Sequence, residues 1–399
     1  MNKQKQRVAM VAGHICLDIT PLFDAADTFS LADTIIPGNM VPLSGVSISA
    51  GGAVANVGLA MTKLGQRAIL GGMAGRDYFG DLLRKVLLDQ QADCTLVQRE
   101  GVTTSFSIVL TKSGCDRAFL HASGANNSFC ADDVDYGQLK SCDLFHFGYP
   151  PVMKNMYQDN GLSLTAIFER AKAAGVTTSL DMTMPNPNSE AGRADWKRIL
   201  QSVLPHVDLF VPSYEEILFM LDRETYNQKR CDAGCADFID CMDIDHLTAI
   251  SATLKSWGAR VVLIKCGAKG SFLSTSSKDS LRKMGRGVPE NLDEWDNLVL
   301  FEESYSVPLV ASATGAGDTF IAAFLSSLLS GCSAMVSHKN AAGAGAICVG
   351  THDVACNIPS LEMLRAKTSS GWRKNRFAIE NPHWTYDPLL STWLGTNPS

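Results

Sequence analysis

The sequence has no uninterrupted apolar run of membrane-spanning length, so neither a transmembrane helix nor a membrane partner is expected. It has no stripe of Lys and Arg with aromatics between them. Its 35 basic residues are outnumbered by 41 acidic ones, and the net charge of −6 argues against nucleic acid as a partner. The glycine-rich stretches lack the Gly-Lys-Ser/Thr of a P-loop and the G-x-G-x-x-G of a dinucleotide turn. Met1 to Arg7 run into only about ten mostly apolar positions before Asp18, without a small-residue cleavage site, so a first strand is expected there and not a secretory signal. The 12 cysteines are dispersed. Cys231, Cys235 and Cys241, with His246 just beyond, follow no zinc spacing, and residues 222–243 read as a polar surface insertion. Dispersed thiols without secretory context imply reduced cysteines and a cytoplasmic protein.

What is present describes an ordinary globular chain: 399 residues, 46% apolar and 19% charged, are enough for one large domain or two modest ones with ample core. From Asp143 onward strand and helix patterns alternate: strands at 144–149, 177–182, 209–211 and 261–265, helices at 164–174, 196–203, from 215 and at 244–257. That order predicts a parallel sheet covered on both faces. Residues 19–50 alternate in short segments around Pro37, Gly38, Pro42 and Gly45, and residues 103–111 and 117–121 alternate like a hairpin around Ser113-Gly114. Together they predict a small sheet beside the main one. Residues 277–304 are charged, contain Gly287-Val288-Pro289, and read as an exposed ribbon or loop. The tail after 369 carries Phe377, Trp384 and Tyr386, which dock on the body or on a neighbouring subunit.

Chemistry concentrates in Ser312-Ala313-Thr314-Gly315-Ala316-Gly317-Asp318. An apolar segment leads in, and Ile321, Phe324, Leu325 and Leu328 follow at the spacing of one buried helix face, so the glycines sit where the chain turns into a helix. Gly315 and Gly317 let a ligand approach the backbone, and the unpaired N–H groups of a first helical turn attract anions. A carboxylate beside such a turn suits phosphoryl transfer to a hydroxyl: a base takes the alcohol proton while fixed donors stabilise the phosphoryl group. The bland alternative is that Asp318 caps the helix and the glycines only turn the chain. Gly51-Gly52-Ala53-Val54-Ala55-Asn56 opens a second helix, with Val54, Val57, Met61 and Leu64 on one face. Its glycines admit a ligand or merely let helix pack on strand, and Asn56 could bond a hydroxyl.

Taken together these stretches resemble the PfkB (ribokinase-like) family of carbohydrate kinases, from about Val8 to Ile358. The 312–318 stretch looks like the family's C-terminal signature and the 51–56 stretch like its N-terminal one. Gly13, Asp18, Gly72, Gly75, Asp77 and Gly80 fall in the family's order, as does Lys265-Cys266-Gly267-Ala268-Lys269-Gly270. The resemblance implies a doubly wound α/β fold, one domain over 1–368 with a β-sheet lid at about 15–48 and 100–122, and a C-terminal extension at 369–399. It implies transfer of the ATP γ-phosphoryl to a small sugar or polyol, with Mg2+ on the phosphates. Asp318 would be the base, and the amides of Gly315, Ala316 and Gly317 the anion hole. Asp18, Gly52 and Asn56 would hold substrate hydroxyls, Glu216 would help organise magnesium, and Gly267, Gly270 and Asn340 would lie along the nucleotide. Ser213 replaces the Asn of the family's N-x-x-E. Ser312 stands where the signature usually begins with Asp, in a region that often helps hold a monovalent cation, so dependence on K+ is left open. Ala53 stands where some ribose-specific members carry Lys, which points away from ribose. Asp181 reads equally as a strand-end residue or a phosphate-site one. Two rivals share the residues: a nucleoside kinase, with Phe119, Phe145 and Phe147 as a slot for the base, and a non-catalytic sugar sensor. Exposed lid edges predict pairing of two lids in a homodimer.

Overall fold

The computed structural model describes residues 6–23, 36–111, 117–233, 237–351 and 357–396; the Ser113-Gly114 turn, Cys235 and part of the expected lid lie outside them. β1 (Val8–Gly13) is buried at every position, as a strand covered on both faces must be. β2 (Cys16–Leu22) and β3 (Gly45–Gly51) leave that layer and pair antiparallel with each other. β4 (Arg67–Gly75) and β5 (Asp93–Arg99) return to it, whereas β6 (Phe106–Leu110) and β7 (Ala118–Ala122) form the expected hairpin. Then follow β8 (Leu144–Gly148), β9 (Thr177–Leu180), β10 (Leu209–Phe210) and β11 (Val261–Cys266), separated by helices. β12 (Gly270–Thr275), β13 (Val299–Glu303), β14 (Trp384–Asp387) and β15 (Thr392–Gly395) complete the series.

Among the described residues the strands make two sheets, of eleven strands in the order β14-β15-β13-β12-β11-β10-β9-β8-β1-β4-β5 and of four in the order β3-β2-β6-β7. The large sheet is parallel from β5 across to β11 and antiparallel beyond it. Its two faces are covered separately. Phe145, Phe147, Phe168 and Trp196 belong to one core, and Val11, Leu70, Leu263 and Phe324 to the other. From β1 the chain passes through the small sheet to β4 on one side, and later reaches β8 on the other. The strand order therefore reverses between β1 and β8, where Gly13 is in register with Gly148. The crevice at the carboxyl ends of the strands, at such a reversal, is where open α/β sheets bind ligands.

Three expectations are corrected or decided. Residues 277–304 are not an exposed ribbon throughout: β13 is buried at all five positions, and Trp295 is buried as well. The charged appearance misled because Glu302 and Glu303 are buried against cations far along the chain: Lys374 pairs with Glu302, and Arg376 reaches Glu303 at 3.5 Å. Phe145 and Phe147 lie inside the core, with Phe145 edge-on to Phe168 at 5.9 Å, and offer no slot to a ligand. The tail docks on the body. β15 pairs with β13, Trp384 packs 6.0 Å from Phe272, and Phe377 packs 5.4 Å from Phe301. In the 222–243 stretch the Arg223–Ala233 helix packs back through Tyr226, and Cys231 is exposed.

Candidate active site

The Ala316–Leu329 helix begins at the carboxyl-end crevice because its first residues are small and its later ones apolar: Thr319 to Leu329 are all buried. Burying a residue such as Phe324 contributes about 1.5–3 kcal/mol, which anchors the first turn. Gly315 is the N-cap. The Ala316 N–H turns back to the Ala313 carbonyl at 3.3 Å, while the N–H groups of Gly315 and Gly317 make no hydrogen bond among the described residues. The expected anion hole therefore has two free donors and one engaged.

Asp318, in the same turn, is 2% exposed. Its Oδ2 accepts from Asn56 Nδ2 at 2.9 Å, and both its oxygens accept from the Tyr149 hydroxyl at 2.8 Å. Burial raises its pKa, and the hydrogen bonds from Tyr149 and Asn56, with the Lys265 charge, oppose that rise. Tyr149 stays a donor because burial and the Asp318 charge hold its own pKa well above the usual phenol value. Its backbone lies at φ +65°, a left-handed conformation that a bulky residue rarely adopts and that is tolerated where surrounding contacts impose it. Asn56 thus orients the carboxylate with its amide nitrogen; it was expected to face substrate.

A second group stands at the ends of β9, β10 and β11. Lys265 Nζ meets Asp181 Oδ1 at 2.7 Å and lies 3.6 Å from where a Cβ on Gly317 would be. Glu216 is fixed by a capping box: its Oε2 accepts from Ser213 N at 2.6 Å, and Ser213 Oγ accepts from Glu216 N at 3.2 Å. Ser213 in place of Asn is thereby accounted for as the cap of the Tyr214–Leu221 helix. Burial raises the pKa of Asp181 and of Glu216, Lys265 opposing in both cases and the neighbouring carboxylates adding to the rise. Burial also works against the Lys265 ammonium, but Asp181 and Glu216 outweigh it and its pKa is raised. Three carboxylates, Asp181, Glu216 and Asp318, thus face one ammonium. Asp181 Oδ2 is buried with no hydrogen-bond partner among the described residues. An excess of negative oxygen donors with an orphaned carboxylate atom is the chemistry a hard divalent cation requires, and Mg2+ fits it.

The expected substrate residues lie across the crevice. Gly52 has φ +81°, and a Cβ there would come within 2.5 Å of His14 Nδ1, so only glycine lets this helix start against the β1–β2 connection. Asp18 packs on Gly51, and Cys16 Sγ donates to its Oδ1 at 3.3 Å; burial raises the Asp18 pKa. The rings of His14 and Tyr149 are 6.2 Å apart, which links Asp18 and Gly52 to the Asp318 group.

The nucleotide residues do not join this group in the same way. Gly267 is exposed in the turn between β11 and β12. Gly270, at φ +128°, is required by strand pairing, since a Cβ would lie 2.0 Å from the Glu302 carbonyl oxygen. Asn340 is fully buried, its Nδ2 donating to Ser327 Oγ at 3.0 Å and its Oδ1 accepting from Thr368 at 3.1 Å. Tyr149 and Lys265 were missed as functional residues. Lys265 had a signal, the lone charge closing the apolar run Val261-Val-Leu-Ile. Tyr149 had only its place between Gly148 and Pro150.

Residues 20–361 match the family model described as pfkB family carbohydrate kinase. Fructokinase-1 of Zea mays is 25% identical over 297 residues, covering 72% of this chain and 76% of the relative. The structure of Arabidopsis thaliana ribokinase complexed with ribose and ATP has a TM-score of 0.63 at 18% identity, over 91% of this chain and 99% of that one. Fructokinase with bound ATP from Xylella fastidiosa gives 0.63 at 18%, over 90% and 97%. At these identities the structural likeness concerns the fold.

Proposed function

The chain belongs to the pfkB family of carbohydrate kinases, and on that premise we propose that it transfers the γ-phosphoryl group of ATP to a hydroxyl of a small sugar, with Asp318 as the base. The observation that carries this reading is the buried Asp318 carboxylate, oriented by Tyr149 and Asn56 in the same helical turn as the free Gly317 amide and beside Lys265. Asp18 and Gly52 border the space for the sugar. Asp318 accepts the proton of the attacking hydroxyl, and that oxygen forms its bond to the γ-phosphorus as the bond to the ADP oxygen breaks. The amides of Gly315 and Gly317 and the Lys265 ammonium stabilise the charge on the transferring group. Asp181 and Glu216 would hold Mg2+, which when bound neutralises phosphate charge. The fructokinase relative makes a ketohexose the first sugar to test.

The small sheet leaves Leu22, Val46, Ile48, Phe119 and Leu120 exposed, which supports pairing of two lids in a homodimer; light scattering on a sizing column tests it. A cytoplasmic location belongs to the same proposal.

The deciding experiment is ADP release from ATP and magnesium across ketoses, aldoses, sugar acids and nucleosides, with Asp318→Asn in parallel. Turnover on one class, lowered by roughly 100-fold or more in the variant while sugar binding persists, is expected. Binding of a sugar without turnover would favour the sensor; turnover on nucleosides alone would favour the nucleoside kinase.

A further inference from the structure

We propose that His14, Cys16 and His121 form a binding site for one borderline transition-metal cation, of which zinc is the type, and that its occupation ties the lid to the main sheet. His14 lies between β1 and β2, Cys16 opens β2, and His121 is on β7 at the far side of the lid. One donor atom from each residue lies within 4.8 Å of the other two. The two imidazole Nε2 atoms are 3.2 Å apart, close to the edge of about 3.3 Å that follows from zinc–nitrogen bonds of about 2.0 Å in a tetrahedron.

A hydrogen bond between two neutral rings would explain that distance, but it would leave the thiol beside them without a reason. Cys16 Sγ lies within 4.8 Å of a nitrogen of each ring. The nitrogen and sulfur donors suit zinc, and they are the wrong set for magnesium, which takes oxygen. Both Nε2 lone pairs must point at the metal, so each ring carries its proton on Nδ1. For His121 that proton then meets Ser107 Oγ, 3.0 Å away, the kind of outer contact that fixes a ligating imidazole. Binding converts the Cys16 S–H to a sulfur–metal bond and releases one proton to solvent; nothing is oxidised or reduced. Its present acceptor, Asp18 Oδ1, loses that hydrogen bond. Three protein ligands leave a fourth position for water.

The effect on turnover rests on the kinase reading; the site itself does not. His14 packs on Tyr149 and His121 is carried by the lid, so a bound cation holds the lid against the crevice beside Asp18. Zinc should therefore inhibit.

The test uses the full-length, metal-free protein titrated with Co2+, whose thiolate complexes show a near-ultraviolet charge-transfer band and intense visible bands when four-coordinate. One equivalent is expected to produce both, and zinc to bleach them. Cys16→Ser should abolish the charge-transfer band. His121→Asn, at an exposed lid position, should weaken binding by roughly tenfold or more, and Ser107→Ala by about tenfold. Cobalt bound without the band, or a band that survives in Cys16→Ser, overturns the site. Inhibition by micromolar zinc is then read for each protein against its own zinc-free rate. Inhibition of the wild type that His121→Asn relieves supports the lid role, and equal inhibition of both refutes it. If no sugar is turned over at all, the kinase reading fails while the cobalt titration still decides the site.

Discussion

Tyr149→Phe removes one hydroxyl and keeps the ring that packs 6.2 Å from His14. In the wild-type chain that hydroxyl donates to both oxygens of Asp318 at 2.8 Å, where burial is the largest influence and raises the carboxyl pKa. A hydrogen bond to a charged group contributes about 1.5–3 kcal/mol, and one pKa unit corresponds to about 1.4 kcal/mol. Losing the donor should lift the Asp318 pKa further, by the equivalent of that hydrogen bond. A base must be ionised to act, so the acid limb of the kcat/KM profile moves to higher pH by that amount, while the rate on the plateau changes far less. Coupled ADP release from about pH 5 to 9 reads both. Stability should follow the same sign. A native pKa above the unfolded one means that stability is lost as pH rises from the ordinary carboxylate value near 4 to the raised native value, and is regained below it. The variant extends that window upward, and urea unfolding across it should show a larger loss than in the wild type. An acid limb that stays in place would refute the reasoning. A uniform fall in kcat at every pH would mean instead that Tyr149 acts on geometry alone.

Three further outcomes are expected. Glu216→Gln keeps an acceptor for the Ser213 N–H but removes one of the carboxylates crowded around Lys265, so the ligand-free protein should gain about 1 kcal/mol in urea unfolding while kcat falls; an unchanged kcat would remove Glu216 from the site. Lys374→Met strands the buried Glu302 and should cost about 3–5 kcal/mol, whereas Lys374→Met combined with Glu302→Gln should recover most of it; equal losses in the two variants would refute the pairing. Asn340→Ala should lower stability by about 1–3 kcal/mol through the orphaned Ser327 and Thr368 hydroxyls and leave KM for ATP within about twofold. A large rise in KM would return Asn340 to the nucleotide.

The sequence by itself determined what depends on local pattern. The strand and helix rhythm after Asp143 set the parallel sheet, since apolar runs of strand length between amphipathic helices have few other ways to be buried. The two glycine stretches, each at the start of a helix, marked Gly52, Asn56, Gly315, Gly317 and Asp318 because turns and free amides are short-range properties. What the tertiary structure alone decided is pairing between distant segments. Asp318 meets Tyr149 across 169 positions, and Lys265 meets Asp181 across 84; no periodicity reports either contact. The same holds for β13, whose glutamates look solvent-facing until Lys374 and Arg376 arrive from the tail, and for Asn340, whose amide is satisfied by Ser327 and Thr368. A charged or polar side chain can be buried only with a partner, and partners are chosen by the folded chain, not by the spacing of its residues.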